Sequence, residues 1–235
     1  MEQINRIRQT SIWIFLLPVI VLNICLFISV NYLIFENTIF VVDQIGRSAF
    51  TIPYIDGGVS ISRTARTYPT YLIFKPGMII TAFLLIKYWI ANNKMVQKIN
   101  NKNEKNYRFL FFGVSSAIFL ILHSIFLGIS FEYDLYKFFR RFILLAFIIF
   151  EIIAQALLVI ALFKMKDKIL DYINKKILIL KILLVSLLIV VALASLPILT
   201  SAGHTSFKHG LEWNYFIGVV SFYLLTFFFW KKRQA

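Results

Sequence analysis

Few residues in this chain are equipped for chemistry, and the two that stand out lie inside apolar runs. His123 falls in the run from Phe109 to Ile129. Glu151 falls in the run from Phe142 to Phe163, with Gln155 one turn further on the same helical face. An imidazole beside a carboxylate can move protons or polarise a lipid headgroup. The same two side chains can instead lock one helix to another, or a neutral Glu151 can bond Gln155 or a backbone carbonyl. An ionisable group in mid-hydrocarbon costs about 2.5–3.5 kcal/mol on insertion scales, so its presence calls for a reason. If one run passes outward and the next inward, both side chains lie about 10–14 Å below the outer surface at about 1.5 Å per residue, within mutual reach. His123 and Glu151 are therefore the candidate catalytic pair.

A second constellation is basic and polar. Arg63, Arg66 and Lys75 belong to a long mixed stretch, 36–75, that also holds Pro53, Tyr54, Asp56 and Gly57. Arg140 and Arg141 open the fourth apolar run, and His204, His209, Glu212 and Trp213 lead into the sixth. A guanidinium fork matches phosphate oxygens, which makes Arg63, Arg66, Arg140 and Arg141 candidate lipid-phosphate ligands. Pro53, Tyr54, Asp56, Gly57, Glu212 and Trp213 would then shape the entrance. Ordinary snorkelling of the arginines is the alternative. His204, His209 and Glu212 form no established metal-ligand pattern, and the expectation is neither a metal nor a cofactor. There is no GxSxG, no Gly-rich phosphate loop and no acidic cluster. The lone Cys25 excludes an intramolecular disulfide and a cysteine zinc site.

The elements that carry these residues follow from hydropathy. Of 235 residues, 60% are hydrophobic, collected into runs near 12–35, 76–91, 109–129, 142–163, 177–199 and 213–230. A membrane-crossing helix needs about 20 apolar residues, and most of these runs meet that length. The chain therefore reads as all-α: one polytopic membrane domain, residues 1–235, of six transmembrane helices. Stretch 36–75 forms a long first outer loop, packed as a cap because of its apolar content (Ile39, Phe40, Val41, Val42, Phe50, Ile52). Lys and Arg alternate in density, 17 on one side of the spans against 8 on the other, with Lys181 counted in the connection before the fifth run. The positive-inside rule then puts both termini in the cytosol. The net charge of +14 does not imply nucleic acid, because the basic residues sit in short gaps where they set orientation. Asn23, Asn31, Ser115 and Ser116 are expected to make interhelical hydrogen bonds, and Gly113 with Ala117 to mark a close helix approach.

The segment Ile52-Pro53-Tyr54-Ile55-Asp56-Gly57-Gly58, then Tyr68-Pro69 and a span, resembles the first loop of the DRAM/Frag/Sfk family of six-span membrane proteins. His123 in the third span and Leu211-Glu212-Trp213 opening the last extend the resemblance, which covers nearly the whole chain in span order. Family members often carry Ser where Asp56 stands here, and Lys75-Pro76 at the second span is a further departure. The resemblance implies a protein that binds or handles a phospholipid or glycolipid at the outer, lumenal leaflet. Its contexts are lipid remodelling, including that of GPI anchors, lipid distribution, or autophagy-type membrane regulation. The expected partners are membrane lipids with anionic or phosphate-bearing headgroups, and the expected address is the plasma membrane or, in a eukaryote, the Golgi, ER or lysosome. Two alternatives stay open. One is a membrane-embedded enzyme of acyl transfer or lipid hydrolysis using His123 and Glu151. The other is a scaffold that recruits partners through its basic cytosolic loops.

Overall fold

The computed structural model describes residues 2–35, 38, 47–100, 107–129, 134–201 and 203–231. Among the described residues the chain is helical apart from turns and one isolated antiparallel bridge, Ile173 to Trp230. The long helices are α1 (Glu2–Val30), α4 (Thr70–Ile99), α5 (Arg108–Phe126), α6 (Asp134–Lys164), α7 (Lys175–Thr200) and α8 (Thr205–Phe229). Two short ones, α2 (Tyr32–Phe35) and α3 (Ile61–Ala65), lie between α1 and α4. All six long helices are long and apolar enough to cross a membrane. The chain is a multi-pass helical membrane protein.

The helix bounds exceed the apolar runs that announce them. The run near 76–91 belongs to α4, which begins at Thr70 and continues to Ile99, and that near 213–230 belongs to α8, which begins at Thr205. Hydropathy marks only the lipid-facing part of a helix. The added turns are held by protein instead: Asn92 Nδ2 donates to Tyr88 O (2.8 Å), and Asn93 Oδ1 accepts from the backbone N–H of Tyr107 (2.9 Å). Stretch 36–75 is correspondingly not one loop, since it contains α3 and the first turns of α4. Its residues Ile39, Phe40, Val41 and Val42 lie outside the described residues.

The helices form a closed ring in chain order. Each of α4 to α8 packs against its sequence neighbours, and α8 returns to α1. Short connections between antiparallel neighbours produce this order directly. Successive helices run in opposite directions, giving the ring two distinct ends. At one end, Gln3 Nε2 donates to Ala91 O (2.9 Å), Arg8 Nε to Phe227 O (3.2 Å) and the Asn174 N–H to Phe229 O (2.8 Å). This end holds the Lys- and Arg-rich connections and is called the basic end below. At the other, the loop end, Lys75 Nζ donates to Ile125 O (3.2 Å).

Aromatic side chains fill the ring. Tyr88 and Trp89 of α4, Phe109 of α5 and Phe222 and Tyr223 of α8 are all buried. The Tyr88 and Tyr223 rings meet edge to face at 4.9 Å, and Trp89 lies 6.2 Å from Phe109. Outside the ring, Ile179, Leu183, Leu187 and Val190 of α7 are more than half exposed, and hydrocarbon is the solvent that suits such a face. Gly113 permits the close approach of α4 and α5, because a Cβ there would lie 2.3 Å from Trp89 Cδ2. The small residues of α5 do mark an interface. Gly113→Ala is expected to cost about 1–3 kcal/mol through overpacking, measured as a lower midpoint of thermal unfolding in detergent.

Candidate functional site

Three groupings of polar residues emerge, and the first surrounds Glu151. Its side chain is 1% exposed at the middle of α6. Ser116 Oγ of α5 donates to Oε2 (2.6 Å), Gln155 Nε2 donates to Oε1 (3.1 Å), and the Tyr223 hydroxyl of α8 donates to Oε1. Gln155 Nε2 also reaches Val219 O on α8 (3.2 Å). One carboxyl thus connects three helices, as expected of polar groups that have no water to bond. Gln155 Oε1 remains buried without a hydrogen-bond partner.

His123 stands apart from this cluster. It lies seven residues after Ser116 on α5, about 10 Å nearer the loop end at about 1.5 Å per residue. Glu151 takes its partners at the level of Ser116, so the depth estimate that put His123 beside it does not describe the packing. His123 is half-buried, and the charge it feels is that of Arg140. The structure therefore does not bring His123 and Glu151 into one acid–base pair.

Lys181 is the polar residue that sequence reasoning misplaced. It was grouped with the connection before the fifth run, yet it is fully buried in α7. Its Nζ donates to Thr226 Oγ1 (2.8 Å), the atom that also lies 3.2 Å from the Tyr88 hydroxyl. The ammonium sits 3.9 Å from the Phe222 ring centroid and 5.3 Å from that of Phe229. A cation over two aromatic faces is attracted by their quadrupoles. The available signal was its position, a lysine flanked on both sides by Ile and Leu. Tyr88, Tyr223 and Thr226 gave no such signal, since aromatic and threonine side chains are ordinary in a span.

The second grouping clamps the loop onto α8. The Asp56 carboxylate accepts from Thr51 Oγ1 (2.5 Å), the Gly58 N–H (2.9 Å) and the Ile52 N–H (3.0 Å). These bonds, that from Thr51 foremost, hold its pKa below the ordinary carboxylate value. Trp213 Nε1 donates to Val59 O (2.8 Å), Asn214 Nδ2 to Tyr54 O (2.7 Å), and His209 Nδ1 lies 3.1 Å from Gly57 O. Gly57 has φ +61°, and a Cβ there would lie 1.7 Å from Ser206 O, so only glycine fits. Glu212 faces the Ile61 and Ser62 N–H groups, the first two of α3. The cap of that helix is Ser60, whose hydroxyl accepts from the Arg63 N–H (3.2 Å). Tyr54 packs edge to face on Trp213 (5.0 Å), burial raises its phenol pKa, and its hydroxyl accepts from Asn23 Nδ2 (3.1 Å). Pro53 is buried, and its carbonyl accepts from the Gly57 N–H (3.2 Å). Pro53, Tyr54, Asp56, Gly57, Glu212 and Trp213 thus come together where the loop meets α8, with polar groups of the loop and α8 directed at one another. His209 and Glu212 serve different partners, and among the described residues no three His, Cys, Asp or Glu gather as a metal set.

The third grouping is cationic. Arg66 lies just before α4 and Arg140 on the second turn of α6. The α5–α6 connection brings them together: a Cβ on Gly128 would lie 2.9 Å from Arg66 O, and the next residue, Ile129, has its carbonyl 3.5 Å from an Arg140 terminal nitrogen. Arg140 also lies over the Tyr136 ring (5.3 Å), while its Nε is buried without a hydrogen-bond partner. Burial, then Arg140 and then Arg63, lower the Arg66 pKa from its usual value. Among the described residues the only salt bridge is Arg6 with Glu2, at the far end of the molecule. Arg63 and Arg141 are exposed at the same end.

Comparison with family models, curated proteins and solved structures finds no match to this chain.

The Glu151 cluster yields a direct test. Glu151→Ala removes an acceptor shared by three buried donors and leaves the Tyr223 hydroxyl without one, while Ser116 Oγ and Gln155 Nε2 keep Gly113 O and Val219 O, at roughly 1–3 kcal/mol. Glu151→Gln keeps an acceptor oxygen and is expected to cost less than half as much, measured by thermal unfolding of the detergent-solubilised protein.

Proposed function

We propose that this multi-pass membrane protein binds a phosphate-bearing lipid headgroup at the loop end of its ring, in the outer or lumenal leaflet. One observation carries the reading: Arg66 and Arg140 lie together without a carboxylate among the described residues, and Arg140 Nε is buried with nothing to bond. Arg140 Nε has no acceptor and its terminal nitrogen reaches only Ile129 O at 3.5 Å, and a phosphate diester or monoester supplies several oxygens to such a fork. Arg63 and Arg141 border the site. The clamp of Asp56, Glu212 and Trp213 fixes α3, and with it the entrance. In this reading His123 lies beneath the headgroup as a neighbour of Arg140.

The resemblance to the DRAM/Frag/Sfk family supports the same chemistry. It favours a role in lipid remodelling, lipid distribution or autophagy-type membrane regulation, at the plasma membrane or an endomembrane. An enzyme of acyl transfer or lipid hydrolysis draws less support, since Glu151 is engaged with Ser116, Gln155 and Tyr223. The Lys and Arg asymmetry supports placing both termini and the basic end in the cytosol. With Cys25→Ser as background, a cysteine at Lys208 should react with a membrane-impermeant maleimide added to intact cells, and one at Lys98 only after permeabilisation. The reverse pattern would invert the orientation.

The lipid reading is tested by native mass spectrometry of the protein with phosphatidic acid and phosphatidylcholine. The Arg66→Gln/Arg140→Gln variant should retain phosphatidic acid about tenfold less, given about 1.5–3 kcal/mol for a hydrogen bond to a charged group. Unchanged retention, with lipid only on annular surfaces, would count decisively against the site.

A further inference from the structure

The basic end carries an open cavity of about 320 Å³ between α5, α6 and the turn that follows α6. Its rim is formed by Arg108, Lys164 and Lys168, and its wall by Phe109, Leu157 and Ile160. We infer that this groove is a second lipid site, holding the phosphate of an anionic phospholipid from the leaflet at the basic end. The inference is independent of the arginines at the loop end.

Charge comes first. Arg108, Lys164 and Lys168 are all exposed, and among the described residues none is salt-bridged. The nearby carboxylates of Asp167 and Asp171 form no ion pair there either. Three cations line one space with no salt-bridged carboxylate among the described residues, and repulsion between them falls when a phosphate enters. The second point is shape. Leu157 and Ile160 precede Lys164 on α6 by seven and four residues, which places the three side chains on one helical face. Ile160 is 50% exposed, so an apolar stripe leads from the cationic rim towards mid-membrane. That is the sequence of a phospholipid itself, a charged head followed by an acyl chain. The volume falls within the range of about 300–1,000 Å³ for ligand sites and suits a headgroup.

The wall is also fixed before a ligand arrives. Tyr107 stacks on Phe109 (ring centroids 5.6 Å apart, planes 15°), and its hydroxyl accepts from Asn100 Nδ2 (2.7 Å). Its backbone N–H is bound by Asn93 Oδ1 (2.9 Å). A groove held rigid by its neighbours loses little entropy on binding. A soluble phosphate compound would use the cations and leave the stripe unused, which selects the lipid.

The experiment uses the full chain in nanodiscs of phosphatidylcholine with a minority of phosphatidic acid bearing a photoreactive diazirine in its acyl chain. Peptide mapping after illumination should place adducts on Leu157 or Ile160. The Arg108→Gln/Lys164→Gln/Lys168→Gln variant should lose at least about tenfold of that labelling. Lys164→Gln alone, at an exposed helix end, should lose a smaller share and serves if the triple variant fails to fold. Lys94→Gln/Lys98→Gln, which removes the same kind of charge outside the groove, should label Leu157 and Ile160 as the parent does. Equal labelling by diazirine phosphatidylcholine, or an equal loss in the Lys94/Lys98 variant, overturns the site. Displacement by millimolar inorganic phosphate overturns the lipid as its occupant.

Discussion

A carboxyl group in the middle of a helix bundle has no water to bond, and the interior is arranged around that constraint. Glu151 finds donors on α5, on α8 and on its own helix, so these three elements share one hydrogen-bonded junction. Lys181 makes a second junction one layer towards the basic end, where Thr226 joins it to Tyr88 and the aromatic faces of Phe222 and Phe229 receive the ammonium. Between them the two junctions involve α4, α5, α6, α7 and α8. In lipid, apolar surfaces give helices little reason to prefer one neighbour over another, whereas buried polar groups do. The ring order is therefore specified by a handful of side chains in a chain whose commonest residues are isoleucine, leucine and phenylalanine.

The loop end works differently. There the polar residues of the first loop are engaged with α8, and the outcome is a rigid rim. Asp56 closes the loop on itself, while Glu212 binds the start of α3 and Trp213 holds Val59. Arg66 and Arg140 are left over from this arrangement, held near each other by the turn at Gly128 and Ile129. Pro-Tyr-Ile-Asp-Gly-Gly and Glu-Trp thus contribute geometry, tying the first loop to α8.

How much of this was legible depends on the kind of signal. Six spans follow from hydropathy because a run of about 20 apolar residues has few other uses. Ser116 and Gly113 were legible as interface residues through size and polarity, and both lie where α5 meets a neighbour. His123 and Glu151 were rightly singled out as costly but wrongly paired. Depth was counted from the ends of the apolar runs, whereas α6 begins at Asp134, eight residues before its run, and this sets Glu151 deeper than the count implies. Lys181 was misplaced because loop lysines and buried lysines look alike until the helix start, capped by Asn174 Oδ1 on the Lys176 N–H (3.1 Å), fixes where the span begins. The cavity at the basic end was invisible for a similar reason, since it joins residues of α5 and α6 about fifty positions apart.

The closure of the ring by α8 has a consequence for biogenesis. Tyr223, Thr226, Glu212, Trp213 and His209 all reside on this last helix, and each completes a polar contact begun by an earlier segment. Glu151 finds Ser116 and Gln155 on helices that precede α8, whereas the Tyr223 hydroxyl, the Lys181 acceptor Thr226 and the surface that seals the first loop all come from α8. Until α8 is in the bilayer, Lys181 has no acceptor and the first loop nothing to close on. Its arrival turns a row of helices into a ring and completes these contacts together.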